Sequence, residues 1–205
     1  MTNDHTQVHD PARVREFFGS RAARWDERFP DDGPAFEAAV ASLGLRGGEV
    51  VLDAGCGTGR ALPYLRQAVG NTGTVLGADL TREMLDEAAR KGRGRSALLL
   101  QADVARLPLG TGVVDAVFAS GLISHLPRPG ENLRELARTV RPGGLLALFH
   151  PVGRAALAAH QGRRVSDDDL RAEPRLRPLL AGSGWRLMSY VDEDDRYLVL
   201  AVREG

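Results

Sequence analysis

Residues 49–60, which read E-V-V-L-D-A-G-C-G-T-G-R, constrain the fold of this chain more than any other stretch. The apolar run at 50–52 is long enough for a buried strand and too short for a helix. Glycines then occupy positions 55, 57 and 59, and apolar residues follow at helical spacing. Glycine permits positive φ and close approach of a ligand, and a helix N-terminus offers free N–H groups. The stretch therefore predicts a strand, a cofactor-binding turn and a helix.

The spacing of these glycines separates two kinds of cofactor-binding turn. Dinucleotide-binding domains use G-x-G-x-x-G, whereas here the third glycine comes one residue early and Arg60 follows it. The letters D-A-G-C-G-T-G resemble motif I of the class I S-adenosylmethionine-dependent methyltransferases. The motif residues that this resemblance assigns to the S-adenosylmethionine cofactor are Asp53, Gly55, Cys56 and Gly57.

Length and charge limit the classes of function that are compatible with the chain. Its 205 residues suit one domain with a sizeable core. With 27 basic and 27 acidic side chains, no overall field attracts nucleic acid or an anionic membrane. No apolar stretch approaches membrane-spanning length, no signal peptide is evident, and the single cysteine excludes an intramolecular disulfide. We expect a cytoplasmic enzyme without membrane insertion or nucleic-acid partner, acting as a monomer or homodimer.

Strand and helix patterns alternate along the chain with short connections. Further apolar runs at 74–78, 96–100, 113–119 and 145–149 predict strands, and the alternation predicts a parallel sheet covered on both faces. Residues 136–149 resemble the family signature L-x-R-x-x-R-P-G-G-x-L. Alternating patterns at 185–191 and 196–202 suit the antiparallel hairpin that closes the sheet in this family. The predicted fold is α/β, a Rossmann-like, mostly parallel seven-stranded sheet with a C-terminal antiparallel hairpin.

The carboxyl ends of the predicted strands carry polar residues, and ligands in such sheets bind at those ends. Asp79, about twenty positions past the glycines, suits a carboxylate that accepts the ribose hydroxyls, a feature that dehydrogenases share. Residues 101–109 resemble the family's third motif, in which the aspartate, here Asp103, accepts a bond from the adenine amino group. Acidic residues at the ends of two successive strands favour S-adenosylmethionine as the cofactor over a nicotinamide dinucleotide. The remaining core residues predicted to line the cofactor are Leu80, Met84, Val104 and Ser120.

The N-terminal region has an apolar face at helical spacing over residues 11–28. Residues 18–26 resemble the N-terminal segment of quinone-biosynthesis-type methyltransferases, which folds over the cofactor. The resemblance implies that Arg21 and Trp25 contact S-adenosylmethionine. The alternative is an amphipathic helix that only packs on the domain.

These patterns suggest a domain organisation. We expect a disordered tail at 1–10 and one methyltransferase domain at 11–205. Within it lie a helical lid at 11–45, a cofactor-binding core at 49–150, and substrate-side helices with the closing hairpin at 151–205. Ser166 and Asp169 are spaced as a capping box. The acidic run at 192–195 predicts a solvated hairpin tip and no metal site.

The predicted methyl transfer requires mainly that the protein align the acceptor with the methyl group. A sulfonium already activates the methyl group, so positioning of the acceptor dominates, and a hydroxyl or amine acceptor also needs a base. His125 and His150 follow predicted strands and have a suitable ordinary pKa, although either could instead bond a loop backbone. The absence of a basic stripe favours a small-molecule acceptor. A nicotinamide enzyme and a cofactor-binding protein without turnover stay open as alternatives.

Overall fold

The computed structural model describes residues 10–28, 31–166 and 168–205. Its strands are β1 (Val50–Ala54), β2 (Thr74–Asp79), β3 (Leu98–Gln101), β4 (Val114–Ser120), β5 (Val140–His150), β6 (Trp185–Glu193) and β7 (Arg196–Arg203). They form one sheet in the order β3-β2-β1-β4-β5-β7-β6. Strands β1 to β5 pair in parallel, and β7 lies antiparallel between β5 and β6. The predicted fold is confirmed.

Helices fill most of the connections between the strands. The α-helices are α1 (Pro11–Gly19), α2 (Gly33–Ala41), α3 (Leu62–Val69), α4 (Arg82–Arg90), α5 (Pro129–Thr139), α6 (Arg154–His160) and α7 (Glu173–Ala181). Short 3₁₀ helices span Ala22–Arg28, Arg93–Ser96 and Ile123–His125. Helices α3, α4 and α5 each join two parallel strands, as right-handed crossovers in such sheets require.

The core consists of two apolar layers, one on each face of the sheet. Successive residues of a strand point to opposite faces, so fully buried Leu52 joins one layer and fully buried Val51 the other. Strand β4 divides in the same way, with Val117 in the first layer and Phe118 in the second. Burial on both faces explains why these strands read as continuous apolar runs and not as alternating ones.

The N-terminal region differs from the single helix predicted over 11–28. Helix α1 ends at Gly19, and a 3₁₀ helix follows at Ala22–Arg28. The carbonyl of Phe17 accepts bonds from the side chains of Ser20 and Arg21 at 3.2 and 2.9 Å. Side chains that take helix carbonyls in this way compete with the α-helical ladder. The backbone therefore turns after α1.

The predicted tail at 1–10 falls mostly outside the described residues, which begin at Asp10. Asp10 itself caps α1, and the disorder of the tail stays a prediction. Its Oδ1 accepts the amide of Ala12 at 3.0 Å, and Pro11 opens the helix. An aspartate cap followed by proline is a favourable start for a helix.

The Arg-Pro-Gly-Gly signature lies within the beginning of β5, earlier than the predicted start at 145. Gly143 has φ of +77°, and a Cβ on Gly144 would lie 2.5 Å from the carbonyl oxygen of Asp115. The pairing of β4 with β5 shifts register at this point. The two glycines therefore let β5 bend tightly against β4.

Two predictions for the C-terminal part need correction. The capping box is wrong, because α7 begins at Glu173 and Asp169 instead accepts both Nε and Nη2 of Arg171, at 3.1 and 2.8 Å. The acidic hairpin tip is exposed at 193–195. Asp192, however, is half-buried and accepts Nε of Arg154 at 2.8 Å. The ion pair with Arg154 of α6 thus holds the Asp192 side chain away from the solvent-exposed tip.

Candidate functional site

The turn after β1 obtains its shape from three glycines in the left-handed region. Gly55, Gly57 and Gly59 have φ of +70°, +51° and +77°. The amides of Gly55 and Cys56 donate to the carbonyl oxygen of Ala78 in β2, at 2.8 and 3.0 Å. Side chains with a Cβ adopt these φ values at a cost. The alternating glycines are therefore required by the backbone path, and the turn is tied to the neighbouring strand.

Gly57 is the point at which a ligand can reach this backbone. A Cβ built there would have only Sδ of Met84 within 4 Å, at 4.0 Å. Cys56, in contrast, is buried, and its Sγ lies 3.2 Å from where a Cβ on Gly77 would be. Burial raises the pKa of the Cys56 thiol. The cysteine thus fills space beneath the turn, while Gly57 faces open space above it.

Asp79 holds the two chain segments that border this opening. Its Oδ2 accepts the amide of Gly57 at 2.8 Å, and its Oδ1 accepts the amide of Thr81, before α4, at 2.8 Å. Burial raises the pKa of Asp79 against the lowering effect of these two amides. The carboxylate therefore fixes the turn and helix start relative to each other at the carboxyl end of β2.

Asp53 lies behind the same turn and is nearly inaccessible, with 1% of its surface exposed. Its Oδ1 has no hydrogen-bond partner in the described part of the chain. Burial, together with the charge of Asp79, raises the pKa of Asp53 to about 8. A buried carboxyl oxygen without a hydrogen-bond partner is costly. A cation bound beside it would relieve that cost, so the site fits a positively charged ligand.

The remaining predicted core residues lie beyond the ends of β2 and β3. Met84 is buried on α4 and Val104 is buried after β3, whereas Leu80 and Asp103 are half-buried. Oδ1 of Asp103 accepts the amide of Ala105 at 2.8 Å, which makes the turn after β3. The structure therefore brings these residues to the same edge of the sheet as Asp79. Their contact with a cofactor stays a prediction.

The N-terminal segment packs against α4 at this edge through α1 and the following 3₁₀ helix. The ring of Trp25 meets that of Phe18 edge-on, with centroids 5.2 Å apart. The guanidinium of Arg21 lies 4.0 Å from the centre of the Phe17 ring and bonds to that residue's carbonyl. Trp25 thus belongs to an aromatic cluster, and Arg21 turns toward α1. Their predicted cofactor contacts are untested.

The two predicted catalytic histidines occupy different surroundings. The His125 ring, in the 3₁₀ helix after β4, lies edge-on to Phe18 with centroids 5.1 Å apart. Nδ1 of His150, at the end of β5, lies 2.7 Å from the carbonyl oxygen of Val152. Ser120, at the end of β4, is half-buried. A catalytic role for either histidine stays a prediction, and His150 does make the backbone contact that was its alternative.

A small cavity lies beside His150. It is bounded by the loop 121–124, His150, Arg171 and Tyr197, and its volume of about 10 Å³ suits one water molecule. Burial raises the pKa of Tyr197 far above its ordinary value, and its hydroxyl bonds to the carbonyl of Arg171 at 3.1 Å. The segment after His150 therefore closes over the end of β5.

Sequence reasoning missed the polar contacts that join the N-terminal segment to the turn. Oδ1 of Asp26 accepts the hydroxyl of Thr58 at 2.6 Å, and Asp32 pairs with Arg60. Asp26 lies within residues 18–26, which carry the N-terminal resemblance, but nothing local indicates its partner 32 positions away. The same holds for Asp32 and Arg60, which lie 28 positions apart.

Two other kinds of site are absent from residues 10–28, 31–166 and 168–205. No group of three or more histidine, cysteine, aspartate or glutamate side chains there could hold a metal ion. Among the same residues, no helix has the length and apolar character needed to cross a membrane.

Comparisons with known proteins agree with this architecture. A family model described as a methyltransferase domain matches residues 52–148. The malonyl-[acyl-carrier protein] O-methyltransferase of Pectobacterium atrosepticum is 32% identical over 142 residues, which are 69% of this chain and 54% of that protein. The chain spans only about half the length of the curated relatives that it matches, from 32% to 61%.

Two solved structures extend the likeness over nearly the whole chain. An S-adenosylmethionine-dependent methyltransferase from Aquifex aeolicus has 26% identity and a TM-score of 0.67, covering 95% of this chain and 98% of its own. Magnesium protoporphyrin IX methyltransferase from Synechocystis, solved with S-adenosylhomocysteine, shares the fold with a TM-score of 0.72 at 21% identity, covering 95% and 100%. With the glycine turn and its aspartates inside residues 52–148, that part of the chain matches a methyltransferase domain, and the whole fold is similar to that of the S-adenosylmethionine-dependent methyltransferases.

Proposed function

We propose that this protein transfers the methyl group of S-adenosylmethionine to a small-molecule acceptor. The observation that carries the proposal is the charge and hydrogen-bond state of the glycine turn. The amides of Gly55, Cys56 and Gly57 already donate to protein acceptors. The buried carboxyl of Asp53 and the half-buried carboxyl of Asp79 lie beside them.

This arrangement favours a cation over a dinucleotide. A pyrophosphate is negative and is bound by free backbone amides and a helix N-terminus. Here those amides are occupied and the adjacent groups are acidic. S-adenosylmethionine carries a positive sulfonium and supplies an already activated methyl group. We therefore favour it over the nicotinamide alternative.

Different residues of the chain would bind different groups of the cofactor. The cofactor's positive charge would favour the ionised form of Asp53, which then loses the proton that burial holds on it. The resemblance to the family gives Asp79 the ribose hydroxyls and Asp103 the adenine amino group. The cofactor would contact the backbone at Gly57, because the space beside its Cα holds only Sδ of Met84 within 4 Å of a Cβ built there.

The acceptor would enter from the side of β4 and β5. The loop 121–124, His150 and Arg171 line the cavity there, and its small volume means that the segment after His150 must move to admit a molecule. The Pectobacterium relative is named for a carboxyl-bearing acyl-carrier substrate. We therefore include carboxylic acids among the acceptor classes to be tested.

His150 is the better placed of the two candidate bases. Its Nδ1 lies 2.7 Å from the carbonyl oxygen of Val152 and 3.1 Å from the amide nitrogen of the same residue. The ring also borders the cavity at the end of β5, where an acceptor would enter. We propose that this ring takes the proton from an acceptor hydroxyl or amine.

Calorimetry followed by acceptor screening tests the proposal. We expect S-adenosylmethionine and S-adenosylhomocysteine to bind the full chain more tightly than NAD. We then expect transfer of a labelled methyl group to a member of a panel of hydroxyl, amine and carboxyl compounds. Tighter binding of NAD would support the oxidoreductase alternative. Binding of S-adenosylmethionine without transfer to any acceptor class would support a cofactor-binding protein without turnover.

We also propose that the protein acts in the cytoplasm as a monomer or homodimer. The proposal depends on the balanced charge of the sequence and on the small-molecule acceptor. Light scattering at working concentration distinguishes these two states from larger assemblies.

A further inference from the structure

Four residues from three parts of the chain meet beside the glycine turn, and we name them the latch: Asp26, Thr58, Lys91 and Arg93. Asp26 lies in the 3₁₀ helix of the N-terminal segment, Thr58 between two glycines of the turn, and the two basic residues after α4. Their sequence separations from Asp26 are 32, 65 and 67 positions. The contact is therefore tertiary and joins the N-terminal segment to the cofactor turn.

Every oxygen of the Asp26 carboxylate is used in the latch. Oδ1 accepts the Thr58 hydroxyl at 2.6 Å, and Oδ2 accepts Nζ of Lys91 at 2.7 Å and Nη1 of Arg93 at 2.8 Å. The same Nη1 donates to the carbonyl oxygen of Thr58 at 2.9 Å. Charge-assisted bonds of this kind are short and strong.

The latch is partly removed from solvent. The side chains of Asp26, Lys91 and Arg93 are 18%, 22% and 25% exposed, and Thr58 is 1% exposed. Burial raises the pKa of Asp26, but the bonds from Lys91, Thr58 and Arg93 outweigh it and lower the value to about 2. Asp26 is therefore ionised at every working pH, and salt screens its contacts less than those of a fully exposed pair.

The same N-terminal segment reaches the acceptor side of the site. Phe18 contacts Trp25 within the segment and His125 outside it, with ring centroids 5.2 and 5.1 Å apart. Aromatic pairs at such distances prefer the edge-on geometry seen here. One rigid segment therefore touches the cofactor turn through Asp26 and the loop after β4 through Phe18.

We propose that Asp26 is a positioning residue, which locks the N-terminal segment to the glycine turn and so keeps the cofactor and acceptor sides closed together. The inference rests on the proposed methyl transfer for its kinetic consequences. The latch consists of contacts between protein residues alone, so its failure can be separated from failure of that proposal. The contacts of Asp26 are with protein side chains, so it acts through Thr58 and through the segment that carries Phe18.

Hydrogen exchange of the full chain without any cofactor tests the latch directly. We expect D26N to raise amide exchange in residues 11–28 and 55–60 about tenfold, the loss that one charge-assisted contact implies. D86N is the matched control, because Asp86 pairs with Arg82 on the same helix at an exposed position. It should leave both peptides unchanged. Unaltered exchange in D26N would overturn the latch whether or not the protein is a methyltransferase.

Kinetics separate a positioning role from a merely structural one. With S-adenosylmethionine and an acceptor from the screen, we expect D26N to raise KM for the cofactor about tenfold. The value of kcat should fall less than about threefold, because bound cofactor can hold the segment closed. A loss of thermal stability with unchanged KM would mean that Asp26 only stabilises the fold, and the proposal would be wrong.

Substitutions at the partners of Asp26 keep the proposal testable if the D26N protein does not fold. T58S keeps the hydroxyl and should behave as the parent, whereas T58V should reproduce the exchange and KM changes. K91Q removes one of the three donors to Asp26 and should give an intermediate effect. Parent-like KM and exchange in both T58V and K91Q would refute the latch. If the parent binds no S-adenosylhomocysteine, the proposed function fails while the exchange experiment still decides on the latch.

Discussion

At the scale of single residues, the charge state of Asp53 is the property most sensitive to pH. Its pKa rises from the ordinary 3.8 to about 8 because of burial and the neighbouring Asp79. Between those values the folded protein keeps a proton that the unfolded chain has released. Stability therefore falls as pH rises through this window. Asp32, whose pKa burial raises to about 6 despite Arg60, adds a change of the same sign.

D53N should remove most of this dependence. Asparagine keeps the shape of the side chain and carries no charge at any pH. We expect the free energy of unfolding of the cofactor-free parent to fall by up to about 1.4 kcal/mol per pH unit between pH 5 and 8. The D53N curve should be flatter, as measured by denaturant unfolding at each pH. Parallel curves for the two proteins would show that Asp53 is ionised when folded.

Asp79 gives the second prediction at this scale. D79A removes the acceptor of two backbone amides and of the proposed ribose contact. We expect the binding of S-adenosylhomocysteine to weaken by about 1.5–3 kcal/mol, the range for hydrogen bonds to a charged group. Calorimetry measures the change, and circular dichroism checks that the sheet is intact. Unchanged affinity in a folded D79A protein would exclude Asp79 from the ribose role.

At the scale of elements, the two glycines at the start of β5 offer a matched pair of substitutions. G144A places a Cβ 2.5 Å from the carbonyl oxygen of Asp115, whereas a Cβ on Gly143 meets nothing within 4 Å. We expect G144A to cost about 3 kcal/mol of stability through overpacking. G143A should cost about 1 kcal/mol through its positive φ alone. Denaturant midpoints compare them, and equal losses would contradict this reading of the bend.

The sequence allowed most elements to be predicted because their signals are local. The apolar run at 50–52 and the alternating segments around residues 192–195 became β1 and the β6–β7 hairpin. The break between α1 and the following 3₁₀ helix was not predicted, because it depends on which side chains donate hydrogen bonds to the Phe17 carbonyl oxygen. The capping box failed for a related reason: Asp169 bonds Arg171 and not a helix terminus.

Prediction of the candidate site has the same limit. Short motifs placed Asp53, Asp79 and Asp103 at or near strand ends, where the structure has them, while their contacts with a cofactor stay predictions. Asp26 finds its cations 65 and 67 positions away, and no pattern within the N-terminal segment encodes such a distance. Contacts that exist only after the sheet has formed need the three-dimensional structure to be seen.

At the scale of the whole molecule, the strand order predicts a gradient of local stability. Strands β1 and β4 are paired on both sides at the centre of the sheet, whereas β3 and β6 are its edges. Local opening is cheapest where fewest buried contacts break. We expect amides of β1 and β4 to exchange at least about 100-fold more slowly than those of β3 and β6. Uniform exchange across all seven strands would mean that the sheet opens only as a unit.

The latch has a chemical consequence, because Lys91 is the only lysine in the 205 residues. Its amine is held by Asp26 at 2.7 Å and by Glu87 at 3.3 Å. Asp26 and Glu87 cover this amine, whose side chain is 22% exposed, so an acylating reagent has to displace them to reach it. The rate of side-chain acylation therefore reports the opening of one defined contact, with no competing lysine to obscure it. A dye attached there would mark the point at which the latch joins the end of α4 to the N-terminal segment, without any engineered residue.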